Sequence, residues 1–139
     1  MNMIRGPRDF SPPPLLDDQA TLARLIWRAA RYASVREREA VAAVVMNRWR
    51  HNCDARAPIS DACIAVEGIS GSHGPRRPET GDVDYDCCCR IARRAIAGVL
   101  DDPTNGSTSF HFVDACPSWS LGRTPSAWVG GRLFYRMED

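Results

Sequence analysis

The 139-residue sequence predicts a mainly α domain with a loop-rich C-terminal part and short strands. Three observations carry that expectation. Apolar residues recur at helical spacing in Leu22, Leu25, Ile26, Ala29 and Ala30, and again in Cys88, Ile91, Ala92, Ala95, Ile96 and Val99. Between these stretches, Ala40 to Met46 is an unbroken apolar run, which marks a helix buried on most of its circumference. From Thr104 onward, turn residues alternate with short aromatic stretches. A chain of this length buries roughly 68% of its unfolded surface, enough for one real core. The expected organisation is an extended Pro-rich arm over residues 1–16 followed by one domain over 17–139.

The arm is predicted from Pro7, Pro12, Pro13 and Pro14, which rule out a regular element there. A first helix then starts near Asp18, with Asp17 or Asp18 placed to cap it. Ser34 followed three residues later by Glu37 has the form of a capping box and opens the second, central helix. A shorter helix is expected from Ile59 to Val66, with Ser60 or Asp61 at its start and Gly68 at its end. Residues 68–84 carry no apolar period and read as a long surface loop. A fourth helix follows and stops before Pro103, with Arg90, Arg93 and Arg94 on its solvated side. Phe110 to Val113 and Leu133 to Tyr135 are the candidate strands.

With 18 basic and 17 acidic residues the net charge is +1, which removes the electrostatic signature of a nucleic-acid binder. No apolar run is long enough to cross a bilayer, so membrane insertion is not expected, and the first residues lack the apolar stretch of a secretory signal. Cys53, Cys63, Cys87, Cys88, Cys89 and Cys116 include no C-x-x-C pair, and His51 and His73 add no ligand spacing. The cysteines therefore read as small hydrophobes with one or two exposed thiols, and no metal or other cofactor is expected. Also missing are a nucleophile elbow, a P-loop, a dinucleotide fingerprint and a zinc-protease helix.

A composite pattern remains. It comprises Leu22-Ala23-Arg24-Leu25-Ile26-Trp27 with Ala30-Arg31, then Ala40-Val41-Ala42-Ala43-Val44-Val45-Met46-Asn47-Arg48, then Asp102-Pro103-Thr104-Asn105-Gly106, then Gly130-Gly131-Arg132-Leu133-Phe134-Tyr135. In order and spacing this resembles the SleB-type cell wall hydrolase family, the spore-cortex-lytic-enzyme-like glycosidases, over Leu22 to Arg136. The resemblance implies a helical domain similar to lysozyme and lytic transglycosylases, with a groove for peptidoglycan glycan strands. It also implies cleavage of those strands by hydrolysis or transglycosylation.

The family's E-A-R-G-E motif begins with its catalytic acid, and the position matching that acid is Ala29. A methyl group cannot protonate the departing glycosidic oxygen, and loss of a general acid removes roughly 10²–10⁴ in rate. Tyr32 and Ala33 stand where the family has Gly and Glu. Its Gln-Phe-Ser segment is reduced to Gly68-Ile69-Ser70, and the histidine after the last glycines is Arg132. A single engineered change would account for Ala29 but not for Tyr32, Ala33, Ile69 and Arg132 together. The expected domain is thus a family member with its scaffold kept and its catalysis lost or remodelled.

Among other carboxylates, Glu37 and Glu39 lie at a helix start, where the macrodipole favours the ionised form. Glu67, Glu79, Asp82, Asp84 and Asp86 lie in or beside the long loop. Residues suited to sugar binding are Arg31, Ser70, His111, Trp119 and Tyr135, because pyranose rings stack on aromatic faces and hydroxyls pair with polar side chains. Satisfied core groups are the competing reading for His111 and Tyr135, and packing beneath the tail for Trp119. Asn47 and Arg48 are expected to tie the central helix to loops. Two functional readings follow: a glycan-cleaving enzyme with a replacement acid, and a non-catalytic module. The second would bind wall or another protein in a phage-like tail, a gene-transfer particle or an envelope complex. Either would act at the bacterial cell wall, after release or as part of a particle.

Overall fold

The computed structural model describes residues 15–51, 57–70 and 77–137, with the side chains of Ile69 and Ser70 outside that description. Four helices come first: α1 (Asp17–Ala30), α2 (Val35–His51), α3 (Ile59–Ser70) and α4 (Val83–Ile96). A small antiparallel sheet of β1 (Ser109–Phe112), β2 (Ala127–Val129) and β3 (Arg132–Tyr135) follows, in the order β1-β3-β2, with a 3-10 turn over Ser118–Ser120. The mainly α expectation with short C-terminal strands holds. The arm expected over 1–16 lies outside the described residues as far as residue 14, as does Cys53.

The central helix is central for the reason its composition gives. Ala40 to Met46 are all buried, and α2 packs against α1, α3 and α4. Small side chains let neighbouring helices approach on several sides at once. α1 and α4 instead bury one stripe each, with Leu22, Leu25 and Ile26 meeting Cys88, Ile91, Ala92 and Ala95 in the same core. Each fully buried branched side chain there contributes about 1.5–3 kcal/mol. Burial pushes the thiols of Cys63 and Cys88 up to about 12, so both remain neutral and pack as hydrophobes.

Helix ends depart from the sequence reading. Asp17 and Asp18 occupy the first turn of α1, while Leu16 holds the N-cap position and donates its N–H to Gln19 Oε1. Ser34 caps α2 by accepting the Glu37 N–H at 3.2 Å, but the Glu37 side chain does not complete the box. α3 continues through Gly68 to Ser70, because Gly68 lacks the positive φ with which a glycine ends a helix. Asp82 caps α4 by accepting the Tyr85 N–H. β2 has no counterpart in the sequence reading, since its three residues are too few to show a period.

Asn47 and Arg48 fasten the end of α2 to the loop before the sheet, as expected. Asn47 Nδ2 donates to Asp102 and to the Ser107 carbonyl, and Arg48 Nε donates to the Thr108 carbonyl. Asp102 organises the turn itself, accepting from the Thr104 N–H, the Thr104 hydroxyl and the Gly106 N–H. The turn passes through left-handed backbone at Asn105 and Gly106, which a short polar residue and a glycine tolerate. Burial raises the Asp102 carboxyl, but the hydrogen bonds from Thr104, Asn47 and Gly106 outweigh it and hold the group below its ordinary value. A depressed carboxyl stabilises the fold above the ordinary value, about 3.9, and loses that contribution as pH falls through the folded value. Asp102→Asn is therefore expected to flatten part of the acid limb in denaturant unfolding measured from pH 6 to pH 2. Stability at pH 6 should fall at the same time.

Candidate functional site

The last turn of α1 carries the position that the resemblance assigns to the catalytic acid. Its carbonyls are taken by Arg38 of α2, whose Nε donates to the Ala30 carbonyl and whose Nη2 donates to the Arg31 carbonyl and to Asp84. That buried guanidinium satisfies a helix end that otherwise leaves acceptors unpaired. Ala29, half-buried one residue earlier, lines a cavity of about 340 Å³ together with Arg28, Arg31, Tyr32, Glu37, Phe112 and Arg132.

Glu37 and Arg132 fill the inner end of this cavity as a buried ion pair, 6% and 1% exposed. Glu37 Oε2 accepts from Arg132 Nη1, and Glu37 Oε1 accepts from the Gly131 N–H at 3.1 Å. Arg132 Nη2 donates to the Ala29 carbonyl at 2.6 Å. Burial pulls the Arg132 guanidinium down and the Glu37 charge pushes back up, leaving the group below its ordinary value. The approach demands glycine: Gly130 has a φ of +58°, and a Cβ there would collide with the Glu37 carboxylate. Arg132 also lies over the rings of Phe110 and Phe112, its partners on one face of the sheet.

The other face of the sheet brings three of the sequence-selected residues together. His111 and Tyr135 are diagonal neighbours across β1 and β3, with rings stacked at 5.3 Å, and Trp119 meets both edge-on. The Phe112 carbonyl can only accept, so His111 Nδ1 donates to it and Nε2 pairs with the Tyr135 hydroxyl at 2.8 Å. A second cavity, about 620 Å³, runs between α3 and the edge of β1 and is lined by Gly68, Phe110, His111, Phe112 and Trp119 among others. Phe112 lines both cavities, so they adjoin across its ring. Tyr135 is buried and reaches the site through His111.

A sequence profile described as Cell Wall Hydrolase matches residues 33–135. The chain belongs to the cell wall hydrolase family. Its fold is similar to the crystal structure of the catalytic domain of the Bacillus cereus SleB protein, with a TM-score of 0.58 at 19% identity, over 95% of this chain and 100% of that one. No curated protein matches the chain. The lysozyme-like helical architecture expected of the family is present. The profile match starts at Ala33, beyond the turn that carries Ala29.

Within this family member the carboxylates weighed as replacement acids are engaged elsewhere or distant. Glu67 bonds Arg28, Glu39 pairs with Arg94 and Arg36, Asp84 bonds Arg38, and Asp82 caps α4. Neither Glu79 nor Asp86 lines either cavity. Among the described residues Glu37 is the one carboxylate lining the Ala29 cavity. Among the described residues no carboxylate pairs with Arg31; its guanidinium lies over the rings of Trp27 and Tyr32 at 4.6 and 4.8 Å. Ser70 closes α3, with its side chain outside the described residues. The sequence reading missed the Glu37–Arg132 contact, which joins residues 95 apart. Its one signal was Arg132, which stands where the resemblance expects a histidine.

Removing one half of this pair strands the other in a poorly solvated place. Glu37→Ala is expected to lower unfolding free energy by about 3–5 kcal/mol. The double change Glu37→Leu with Arg132→Met should recover most of that loss, as read by denaturant titration of the two variants beside the parent.

Proposed function

We propose that this domain grips glycan strands of peptidoglycan without cleaving them. The observation that carries the reading is the state of Glu37: both of its oxygens accept hydrogen bonds, one from a guanidinium and one from a backbone N–H. Glycosidic cleavage needs a carboxyl group that holds a proton and can reach the departing oxygen. Both Glu37 oxygens are already taken as acceptors, so neither is free to serve a departing oxygen. Family membership supports peptidoglycan as the ligand. The adjoining cavities support strand binding by their shape and lining, because Phe112, His111 and Trp119 offer ring faces and edges along a path.

The same geometry sets what repair would require. A glutamate placed at residue 29 would sit beside Arg132, whose Nη2 already reaches the Ala29 carbonyl. The new carboxyl would ionise against that guanidinium and donate nothing. Release of soluble fragments from purified peptidoglycan should therefore be absent with the unaltered protein and with Ala29→Glu alone. It should appear when Ala29→Glu is combined with Arg132→His and Glu37→Gln. Co-sedimentation with insoluble wall measures the grip separately. Fragment release by the unaltered protein refutes the reading, as does failure to sediment with wall.

A further inference from the structure

We infer that the Ala29 cavity selects a pyranose bearing a carboxylate, a preference opposite in sign to that of a pocket holding a catalytic acid. The inference rests on the glycan-binding reading above and assigns the chemistry of one end of the furrow.

Charge is the first ground. Three guanidiniums line the cavity, those of Arg28, Arg31 and Arg132, against one carboxylate, Glu37. Arg28 has Glu67 beyond the rim and Arg132 has Glu37 inside, which leaves Arg31 as the cation that no carboxylate among the described residues balances. Stacking on Trp27 and Tyr32 occupies the guanidinium faces and fixes its plane. The N–H edge stays available for an in-plane, two-bond grip on a carboxylate.

Orphaned donors are the second ground. Arg132 Nε and Arg28 Nε are both buried without an acceptor among the described residues, and both side chains line this cavity. A buried donor without a partner costs about 1–3 kcal/mol, and an oxygen-rich ligand is the group that would relieve it.

Apolar surface at the mouth is the third. Tyr32 is 89% exposed and Phe112 is 43% exposed, and both line the cavity beside Ala29. Exposed aromatic rings flanking a cationic cavity suit an amphipathic ring such as a sugar, whose C–H faces stack while its substituents hydrogen-bond. At about 340 Å³ the cavity lies in the range of small-ligand sites. A simple inorganic anion would use the arginines and ignore both rings.

Two sources supply this chemistry: the lactyl carboxylate that muramic acid bears in glycan strands stripped of their stem peptides, and the ring carboxylate of a hexuronic acid in an acidic polysaccharide. Binding of N-acetylmuramic acid, glucuronic acid and neutral N-acetylglucosamine to the full chain, followed by calorimetry at 50 mM and 500 mM salt, tests the inference. At least one acidic sugar is expected to bind tenfold or more tightly than the neutral one, with the margin shrinking at high salt. The stronger of the two acids identifies the source. Arg31→Gln, at a half-exposed position, should reduce the acidic sugar to the affinity of the neutral one, while circular dichroism reports an intact fold. Equal affinity for acidic and neutral sugars, or an unaltered preference in Arg31→Gln, overturns the inference. Sedimentation with insoluble wall separates the two proposals. Retained wall binding without carboxylate preference sinks only this inference, and loss of both sinks the glycan reading with it.

Discussion

The buried contact between Glu37 and Arg132 is the constraint on which the rest of this site depends. It joins the first turn of α2 to the start of β3 and, through the Ala29 carbonyl, to the end of α1. Two charges taken out of water cost several kcal/mol each and regain that only in good geometry with their remaining hydrogen-bonding groups satisfied. The structure meets most of that demand. The Gly131 N–H takes the second oxygen, the Ala29 carbonyl takes another guanidinium hydrogen, and Gly130 leaves room for the approach. The position of the small sheet against the helices is accordingly held by a polar contact as well as by the packing of Phe110 and Phe134 in the core.

The same contact sets the chemistry of the space beside Ala29. A general acid needs burial that keeps it protonated, with no cation close enough to strip the proton. This cavity supplies burial and three guanidiniums. The neighbouring furrow along Phe112, His111 and Trp119 is built from ring contacts instead.

Much of the fold was legible because its signals are local. The unbroken apolar run of α2 and the stripes of α1 and α4 are burial patterns written at helical period, and Ser34 marks the start of α2 by a hydrogen bond three residues long. Legibility stopped where a local preference met a distant partner. Glu37 is placed to complete a capping box, yet its carboxylate bonds groups 94 and 95 residues away, since a buried guanidinium is a stronger claimant than one helix N–H. Gly68 has the form of a helix stop but lacks the backbone conformation that makes one. Trp119, His111 and Tyr135 were identifiable as residue types suited to sugar. Their meeting is a matter of strand register, which depends on pairing across the intervening loop.

By itself the sequence determined the helical class, the central helix and the order of family motifs, with a methyl group at residue 29. Those are properties of residue type and spacing, readable one segment at a time. Only the tertiary structure decided what became of the space around that methyl group, by bringing a glutamate from one helix and an arginine from one strand together at the end of another helix. Such a contact follows from the desolvation of both charges when the sheet closes on the helices, and no segment of the chain contains it.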